Sequence, residues 1–135
     1  MKLRLRPDQP ILLYVTIAGD RGTREVLGVL DTGADFVLIP TEDALRLGYD
    51  VANAPRIPLA TANGVIEAPK VVLSEVSIGD LRAENVDAIC YDMPGAHVSA
   101  LLGLSLLRRF RITLDFPRLT LEIRSRPGGR RKARI

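Results

Sequence analysis

The chain has one cysteine, one histidine and no tryptophan, and only 4% of its 135 residues are aromatic. The single cysteine, Cys90, cannot form a disulfide within the chain, which fits a reducing compartment. One cysteine and one histidine leave no zinc cluster of the usual nitrogen and sulfur type, although an all-carboxylate site stays open. The low aromatic content argues against a base-stacking platform for nucleic acid.

Targeting segments and nucleotide-binding motifs are also missing from the sequence. The start of the chain, residues 1–7, alternates charged and apolar residues and has no apolar core, so we expect a soluble, cytoplasmic protein without a membrane segment. No phosphate-binding glycine fingerprint appears, and His97 has no Gly-x-Ser-x-Gly motif nearby, which disfavours a serine triad. Cys90 lies on an alternating apolar face and is expected in the core rather than paired with His97.

The net charge of +3 conceals a division along the chain. Six of the 19 basic residues lie between Arg124 and Arg134 with no acid among them, so residues 1–123 carry 13 basic and 16 acidic groups. We therefore predict one domain over residues 1–124, followed by a basic, disordered tail over 125–135. Such a tail could bind nucleic acid or acidic lipid weakly through its charge, but it is more often a solvated end.

Short apolar runs that alternate with polar residues predict strands along most of the chain. Turn residues at 19–22 and 62–64 predict hairpins between them. Helical spacing is confined to residues 41–48, where Thr41 would cap the start, and to residues 104–110. The pattern predicts an all-β domain with eight or nine strands and two short helices.

An acidic residue interrupts two apolar runs in the segment Val29-Leu30-Asp31-Thr32-Gly33-Ala34-Asp35. If the preceding run is a buried strand, desolvation disfavours an ionised carboxylate unless hydrogen bonds or a shared proton compensate. Gly33 permits a tight turn, and the Thr32 hydroxyl can donate a hydrogen bond outward. Asp31 could instead be an ordinary solvated turn residue, but the apolar residues 36–39 that follow favour a chemical role.

Residues 30–39, Leu-Asp-Thr-Gly-Ala-Asp-Phe-Val-Leu-Ile, and the later Ala100-Leu101-Leu102-Gly103 resemble two motifs of the retroviral-type aspartic proteases, or retropepsins. The motifs occur in the same order as in that family, and the resemblance covers residues 11–123. It implies a closed, barrel-like all-β retropepsin (acid protease) fold with one or two short helices and one lobe per chain. It also implies an aspartic endopeptidase that hydrolyses peptide bonds without a metal or cofactor.

The resemblance assigns a role to each matching position. Asp31 would be catalytic, Thr32 would brace the two active-site loops across a dimer axis, and Gly33 would lie beside the substrate backbone. The hairpin at residues 62–64 would be the flap that folds over the substrate. The expected substrate-binding residues are Ala34, Asp35, Ala62, Asn63 and Gly64, and the expected supporting residues are Leu102 and Gly103.

The number of acidic motifs predicts a dimer. A water molecule can be made to attack an amide when two carboxylates share one proton, because one accepts a proton from water while the other donates to the carbonyl oxygen. The chain has one Asp-Thr-Gly, so the simplest active assembly is a homodimer in which the two copies of Asp31 meet at a two-fold axis. The resembled retropepsins work as homodimers.

Two departures from the retroviral pattern support an alternative, a non-catalytic dimeric module of the same fold that binds peptides. The predicted flap tip carries a single glycine, Gly64. Leu104 and Ser105 follow Gly103 where the retroviral relatives have arginine and then Asn or Asp. An ion pair to Asp35 would then have to come from another residue, and Arg108 and Arg109 are the nearby arginines in the sequence.

Overall fold

The computed structural model describes residues 1–95 and 98–126, which form ten strands and two short helices. The expectations for His97 and for most of the basic tail lie outside the described residues. No helix of the described part has the length and hydropathy needed to cross a membrane. The elements are β1 (Lys2–Arg4), β2 (Leu12–Gly19), β3 (Gly22–Leu30), β4 (Val37–Ile39), α1 (Thr41–Arg46), β5 (Arg56–Thr61), β6 (Gly64–Ile78), β7 (Leu81–Cys90), β8 (Ala100–Leu102), α2 (Leu104–Leu107), β9 (Phe110–Asp115) and β10 (Thr120–Ser125).

Six strands close into a barrel in the order β2-β3-β8-β4-β7-β6, and β6 pairs with β2 to complete the ring. Strand β5 pairs with β6 outside the ring. The second half of the fifteen-residue β6 serves the barrel, while its first half forms a hairpin with β5. The predicted all-β class, the closed barrel and the two short helices are confirmed.

Alternation in β2 shows how the sequence builds the barrel wall. Leu13, Val15 and Ile17 are at most 2% exposed, whereas Tyr14 between them is 62% exposed. Successive side chains of a strand point to opposite faces, so one face fills the interior and the other meets solvent. The three buried residues of β2 belong to the main core, which also includes residues of the three-stranded sheet described next.

A second sheet of three antiparallel strands, in the order β1-β10-β9, packs on this core. Leu121 and Ile123 of β10 are fully buried. Opposite them in register lie Leu114 and Ile112 of β9. The predicted closing hairpin is therefore present, and its inner face belongs to the main core.

Three local predictions were wrong in detail. Thr41 is the first residue of α1 and does not cap it: Pro40 occupies the cap position, and the Thr41 N–H donates to Asp92 Oδ1 at 2.9 Å. Helix α2 ends at Leu107, because β9 begins only three residues later. The turn between β5 and β6 was expected to contain Ala62, Asn63 and Gly64, but Gly64 begins β6 and pairs with Thr61, so only Ala62 and Asn63 form the turn.

Candidate active site

Asp31 directly follows β3 and opens a loop that leads into β4. Strand β8 lies between these two strands, parallel to β3 and antiparallel to β4. The loop therefore leaves the barrel on one side of β8 and returns on the other. This arrangement joins the two sequence motifs, because the Leu101-Leu102 segment is the strand between the two ends of the Asp31 loop.

Backbone hydrogen bonds tie the loop to the junction of β8 and α2. The Asp31 N–H donates to the Leu102 carbonyl at 3.1 Å. In return, the N–H groups of Leu104 and Ser105 donate to the carbonyls of Ala34 and Asp35 at 2.8 and 2.9 Å. The first N–H groups of a helix have no partner inside the helix, so the loop carbonyls satisfy donors that would otherwise be unpaired.

Gly103 allows this close approach of the two segments. A Cβ atom at position 103 would overlap the Phe36 carbonyl oxygen and would lie 2.7 Å from the Ala34 carbonyl oxygen. Both contacts are with backbone, which cannot rotate away as a side chain does. The structure therefore requires glycine at this position for a steric reason.

The Ser105 hydroxyl adds a bridge that the sequence did not reveal. Ser105 Oγ accepts a hydrogen bond from the Val37 N–H at 2.9 Å and donates one to the Asp87 carbonyl at 2.7 Å. One side chain thus connects α2, the start of β4 and the middle of β7. The only sequence signal is a lone hydroxyl residue within the apolar run Leu-Leu-Gly-Leu-Ser-Leu-Leu.

The Asp31 carboxylate is held by its own loop. Its Oδ1 atom accepts a hydrogen bond from the Gly33 N–H at 2.9 Å. Within the single chain Asp31 is half-buried, and Thr32 and Gly33 are exposed. The expectation of a buried acid is therefore wrong for one subunit, because Asp31 lies beyond the strand end at the mouth of a cleft.

The cleft beside Asp31 has a volume of about 280 Å³. Its apolar floor contains Leu38, Ile89 and Leu101, which belong to a small cluster separate from the main core. A floor of this kind fits apolar side chains, while Asp31 and Asp35 supply polar groups at its edge. The lining residues are Asp31, Gly33, Ala34, Asp35, Phe36, Leu38, Pro58, Leu59, Ala60, Ile89 and Leu101.

The structure brings only part of the predicted substrate-binding set to this cleft. Ala34 and Asp35 line it. Ala62, Asn63 and Gly64 form the exposed tip of the β5–β6 hairpin and do not line it. Residues 58–60 of β5 line the cleft. The sequence did not indicate them, because which residues of β5 reach the cleft depends on the tertiary position of the β5–β6 hairpin.

The expected source of an ion pair for Asp35 was wrong. The Arg109 guanidinium donates to the carbonyls of Glu84 and Asn85 at 2.7 and 2.8 Å. Among residues 1–95 and 98–126, no basic side chain forms a salt bridge with Asp35. The Asp35 carboxylate is thus exposed at the cleft edge without a cationic partner in the part of the chain that the structure describes.

The remaining candidate groups have no catalytic setting in the described residues. Cys90 is 3% exposed, and burial, together with the nearby Asp92 charge, raises the pKa of its thiol to about 11. The thiol is therefore protonated at neutral pH, in agreement with a core position. In the described ranges no group of three or more His, Cys, Asp and Glu side chains is arranged to hold a metal ion.

A closed six-stranded barrel with an Asp-Thr-Gly loop at the mouth of an apolar cleft defines a retropepsin-like aspartic protease fold. The family model described as aspartyl protease matches residues 13–106, and the chain belongs to this family. The crystal structure of a retropepsin-like aspartic protease from Rickettsia conorii superposes with a TM-score of 0.69 and 25% identity. The alignment covers 91% of this chain and 88% of that one.

Two curated relatives are similar in sequence. A protein described as uncharacterized, from the cobV 5′ region of Sinorhizobium sp., is 36% identical over 85 residues, which are 62% of this chain and 36% of the relative. An uncharacterized protein of Rickettsia prowazekii (strain Madrid E) is 33% identical over 90 residues, 62% of this chain and 35% of the relative. The match thus spans about a third of the length of these relatives.

Proposed function

We propose that the protein is a homodimeric aspartic endopeptidase in which two copies of Asp31 activate a water molecule. The observation that carries the proposal is the setting of Asp31. Its loop is fixed to β8 and α2 by three backbone hydrogen bonds, and its carboxylate faces a cleft with an apolar floor. Only one Asp-Thr-Gly exists in the chain, so a second carboxylate comes from a second copy.

In the proposed reaction the two carboxylates hold one proton between them. The ionised Asp31 takes a proton from water as the water oxygen attacks the peptide carbonyl carbon, and the protonated Asp31 gives its proton to the carbonyl oxygen. The resulting diol collapses as the C–N bond breaks: the nitrogen accepts the proton of the carboxyl group that took it from water, and a diol hydroxyl gives its proton to the other carboxylate. The pair then again holds one proton and is ready for the next water molecule.

The shape and lining of the cleft are consistent with binding of a polypeptide substrate. Apolar side chains of the substrate would contact Leu38, Ile89 and Leu101, while Gly33 and Asp35 would meet its backbone. In this proposal the β5–β6 hairpin acts as the flap that covers the bound peptide, and Thr32 braces the two loops across the axis. A cytoplasmic location stays a prediction.

Asp31→Asn tests the proposal directly. We expect the variant to lose cleavage of an unfolded protein or peptide library by at least roughly a thousandfold, since an amide cannot accept the proton from water. Its unfolding curve should match that of the wild type. Asp80→Asn, at an exposed turn, is the control and should keep full activity. Equal cleavage by wild type and Asp31→Asn would remove Asp31 from the mechanism.

Mixing the two proteins tests the pairing of the carboxylates. After subunits exchange, an equal mixture of wild type and Asp31→Asn should retain about a quarter of the wild-type activity, because only one dimer in four carries two aspartates. Retention of half of the activity would show that each subunit acts alone.

The second candidate is a dimeric module that binds peptides without cutting them. In retroviral relatives an arginine follows the second motif and is available to pair with the second acid. Among the described residues of this chain Asp35 has no such ion pair, and Arg109 binds the carbonyls of Glu84 and Asn85 instead. This departure from the retroviral pattern favours the second candidate. It predicts that peptides are retained by the protein and recovered intact, with equal affinity for wild type and Asp31→Asn.

A further inference from the structure

The chain contains three asparagines, and they lie in different environments. Asn53 is in the loop before β5, Asn63 is at the tip of the β5–β6 hairpin, and Asn85 is within β7. An asparagine side chain loses ammonia when the backbone nitrogen of the next residue attacks its Cγ atom. The rate depends on what holds the amide and that nitrogen in place, so the three positions can be compared within one molecule.

Asn53 is held at both of the groups that would react. Its side-chain nitrogen donates to the two carboxylate oxygens of Asp50 at 3.0 and 3.3 Å, and its own N–H donates to the same carboxylate at 3.2 Å. The attacking nitrogen would be that of Ala54, whose N–H donates to the Val51 carbonyl at 3.3 Å. Attack requires these hydrogen bonds to break, so we expect the Asn53 amide to persist.

Asn85 is held by the barrel. The next residue, Val86, is fully buried and pairs with Leu73 of β6. The Asn85 carbonyl accepts a hydrogen bond from the Arg109 guanidinium at 2.8 Å. The Val86 nitrogen therefore cannot turn toward the Asn85 side chain unless the pairing of β6 with β7, which is part of the closed barrel, opens.

Asn63 has neither kind of restraint. Its side chain is exposed, and within residues 1–95 and 98–126 only its backbone N–H is bound, to Thr61 Oγ1 at 3.3 Å. It is the one asparagine followed by glycine, and Gly64 has no Cβ to shield its nitrogen from the side chain. Thr61 and Gly64 form the last pair of the β5–β6 ladder, where local opening costs little free energy.

We propose that Asn63 is a site of spontaneous deamidation. The Gly64 nitrogen bonds to Asn63 Cγ and gives up its proton, while the Cγ–Nδ2 bond breaks and ammonia leaves, which closes a cyclic succinimide. One water molecule then opens the ring. Cleavage between the nitrogen and Cγ gives aspartate, whereas cleavage between the nitrogen and the main-chain carbonyl carbon of Asn63 gives isoaspartate. No atom is oxidised or reduced.

The modification changes the charge and the backbone of the hairpin tip. Either product adds a negative charge, and isoaspartate also lengthens the backbone by one carbon atom, which disturbs the pairing of Thr61 with Gly64. The effect on activity rests on the proposed function, in which this hairpin covers the bound peptide. There we expect the rate of peptide cleavage to fall as the protein ages, in step with the fraction of Asn63 converted.

Peptide mapping by mass spectrometry tests the site without any activity. The folded wild-type protein is stored at neutral pH, and the gain in mass on replacement of NH2 by OH is followed at each asparagine. Asn63 should convert at least roughly tenfold faster than Asn53 or Asn85, because a single hydrogen bond that must first open slows a reaction by about that factor. Equal rates, or an Asn63 that stays intact while a synthetic peptide of residues 59–67 converts, would overturn the proposal.

Gly64→Ala tests the attack by the Gly64 nitrogen. The added Cβ shields this nitrogen, so conversion at Asn63 should slow several-fold even though the substitution strains the hairpin. Gly22→Ala, at the corresponding position of the β2–β3 hairpin, is the matched control and should convert at the wild-type rate. Conversion at an unchanged rate in Gly64→Ala would rule out this route.

Cleavage assays on the stored samples separate the modification from the proposed function. Asn63→Gln keeps an amide but must close a larger ring, so its cleavage of an unfolded protein should hold at its own starting value while that of the wild type declines. Conversion without any decline in cleavage overturns the effect on activity and leaves both the site and the protease. Conversion in a protein without Asp31-dependent cleavage supports the site and overturns the enzyme, together with the effect on activity.

Discussion

The two sides of the cleft are held in different ways. The Asp31 loop is fixed by residues far away in sequence, through hydrogen bonds from Leu104 and Ser105. The tip of the β5–β6 hairpin is held by its own residues: Thr61 Oγ1 donates to the Gly64 carbonyl at 2.8 Å and accepts from the Asn63 N–H at 3.3 Å. The Asp31 loop is thus placed by distant parts of the fold, while the hairpin tip has only local support, as expected for a segment of low local stability.

Gly103→Ala should break the fixed side most severely. The new Cβ would overlap the Phe36 carbonyl, so we expect a loss of about 3 kcal/mol or more in the free energy of unfolding, measured by denaturant titration. Gly33→Ala in the same loop is the control. Its Cβ would meet only Asp31 Oδ1 at 3.2 Å, and its stability should stay near that of the wild type. Equal stability of both variants would contradict the steric role of Gly103.

Ser105→Ala should loosen the same side by a smaller amount. It leaves the Val37 N–H and the Asp87 carbonyl without their partner, which costs about 1–3 kcal/mol of stability. If the hydroxyl positions the loop, kcat should fall more than KM rises. Ser74→Ala, which removes an exposed hydrogen bond to the Ala18 carbonyl, should cost less and leave kcat unchanged. Equal effects of the two substitutions on kcat would rule out positioning by Ser105.

The hairpin side offers a matched pair of glycines for the smallest effect. Gly64 and Gly22 each begin the second strand of a hairpin, with φ of +116° and +129°, and each has open space around it. Alanine at either position should cost about 1–2 kcal/mol, because L residues rarely adopt this backbone conformation. Peptide cleavage should fall only for Gly64→Ala if its hairpin covers the substrate. An equal loss of activity in both variants would contradict that role.

Much of the fold could be predicted because the sequence carries it locally. Alternation along β2 and β10, and turn residues near 19–22, indicate strands and hairpins without knowledge of the rest of the chain. The Asp31 segment was identifiable for the same reason, since the carboxylate, the hydroxyl and the glycine are consecutive. The family and the all-β barrel follow from these local patterns.

The features that were missed depend on contacts between distant segments. The Thr41 side chain does not cap α1, because Pro40 occupies the cap position in an extended conformation. The backbone N–H of Thr41 donates to the carboxylate of Asp92, which is 51 residues away in the sequence. The cleft residues of β5 and the bridging hydroxyl of Ser105 become visible only when the barrel closes. Periodicity reports which face of a strand is apolar, but not which segment lies against it.

The separation between Asp31 and its support also has a consequence during synthesis. Val37 and Ser105, which share the bridging hydroxyl, are 68 residues apart, and the loop carbonyls find their donors only at Leu104 and Ser105. A nascent chain that ends before these residues carries the complete Asp-Thr-Gly but cannot hold it in place. A ribosome-bound chain therefore cannot fix the Asp31 loop in its folded position until Ser105 has emerged.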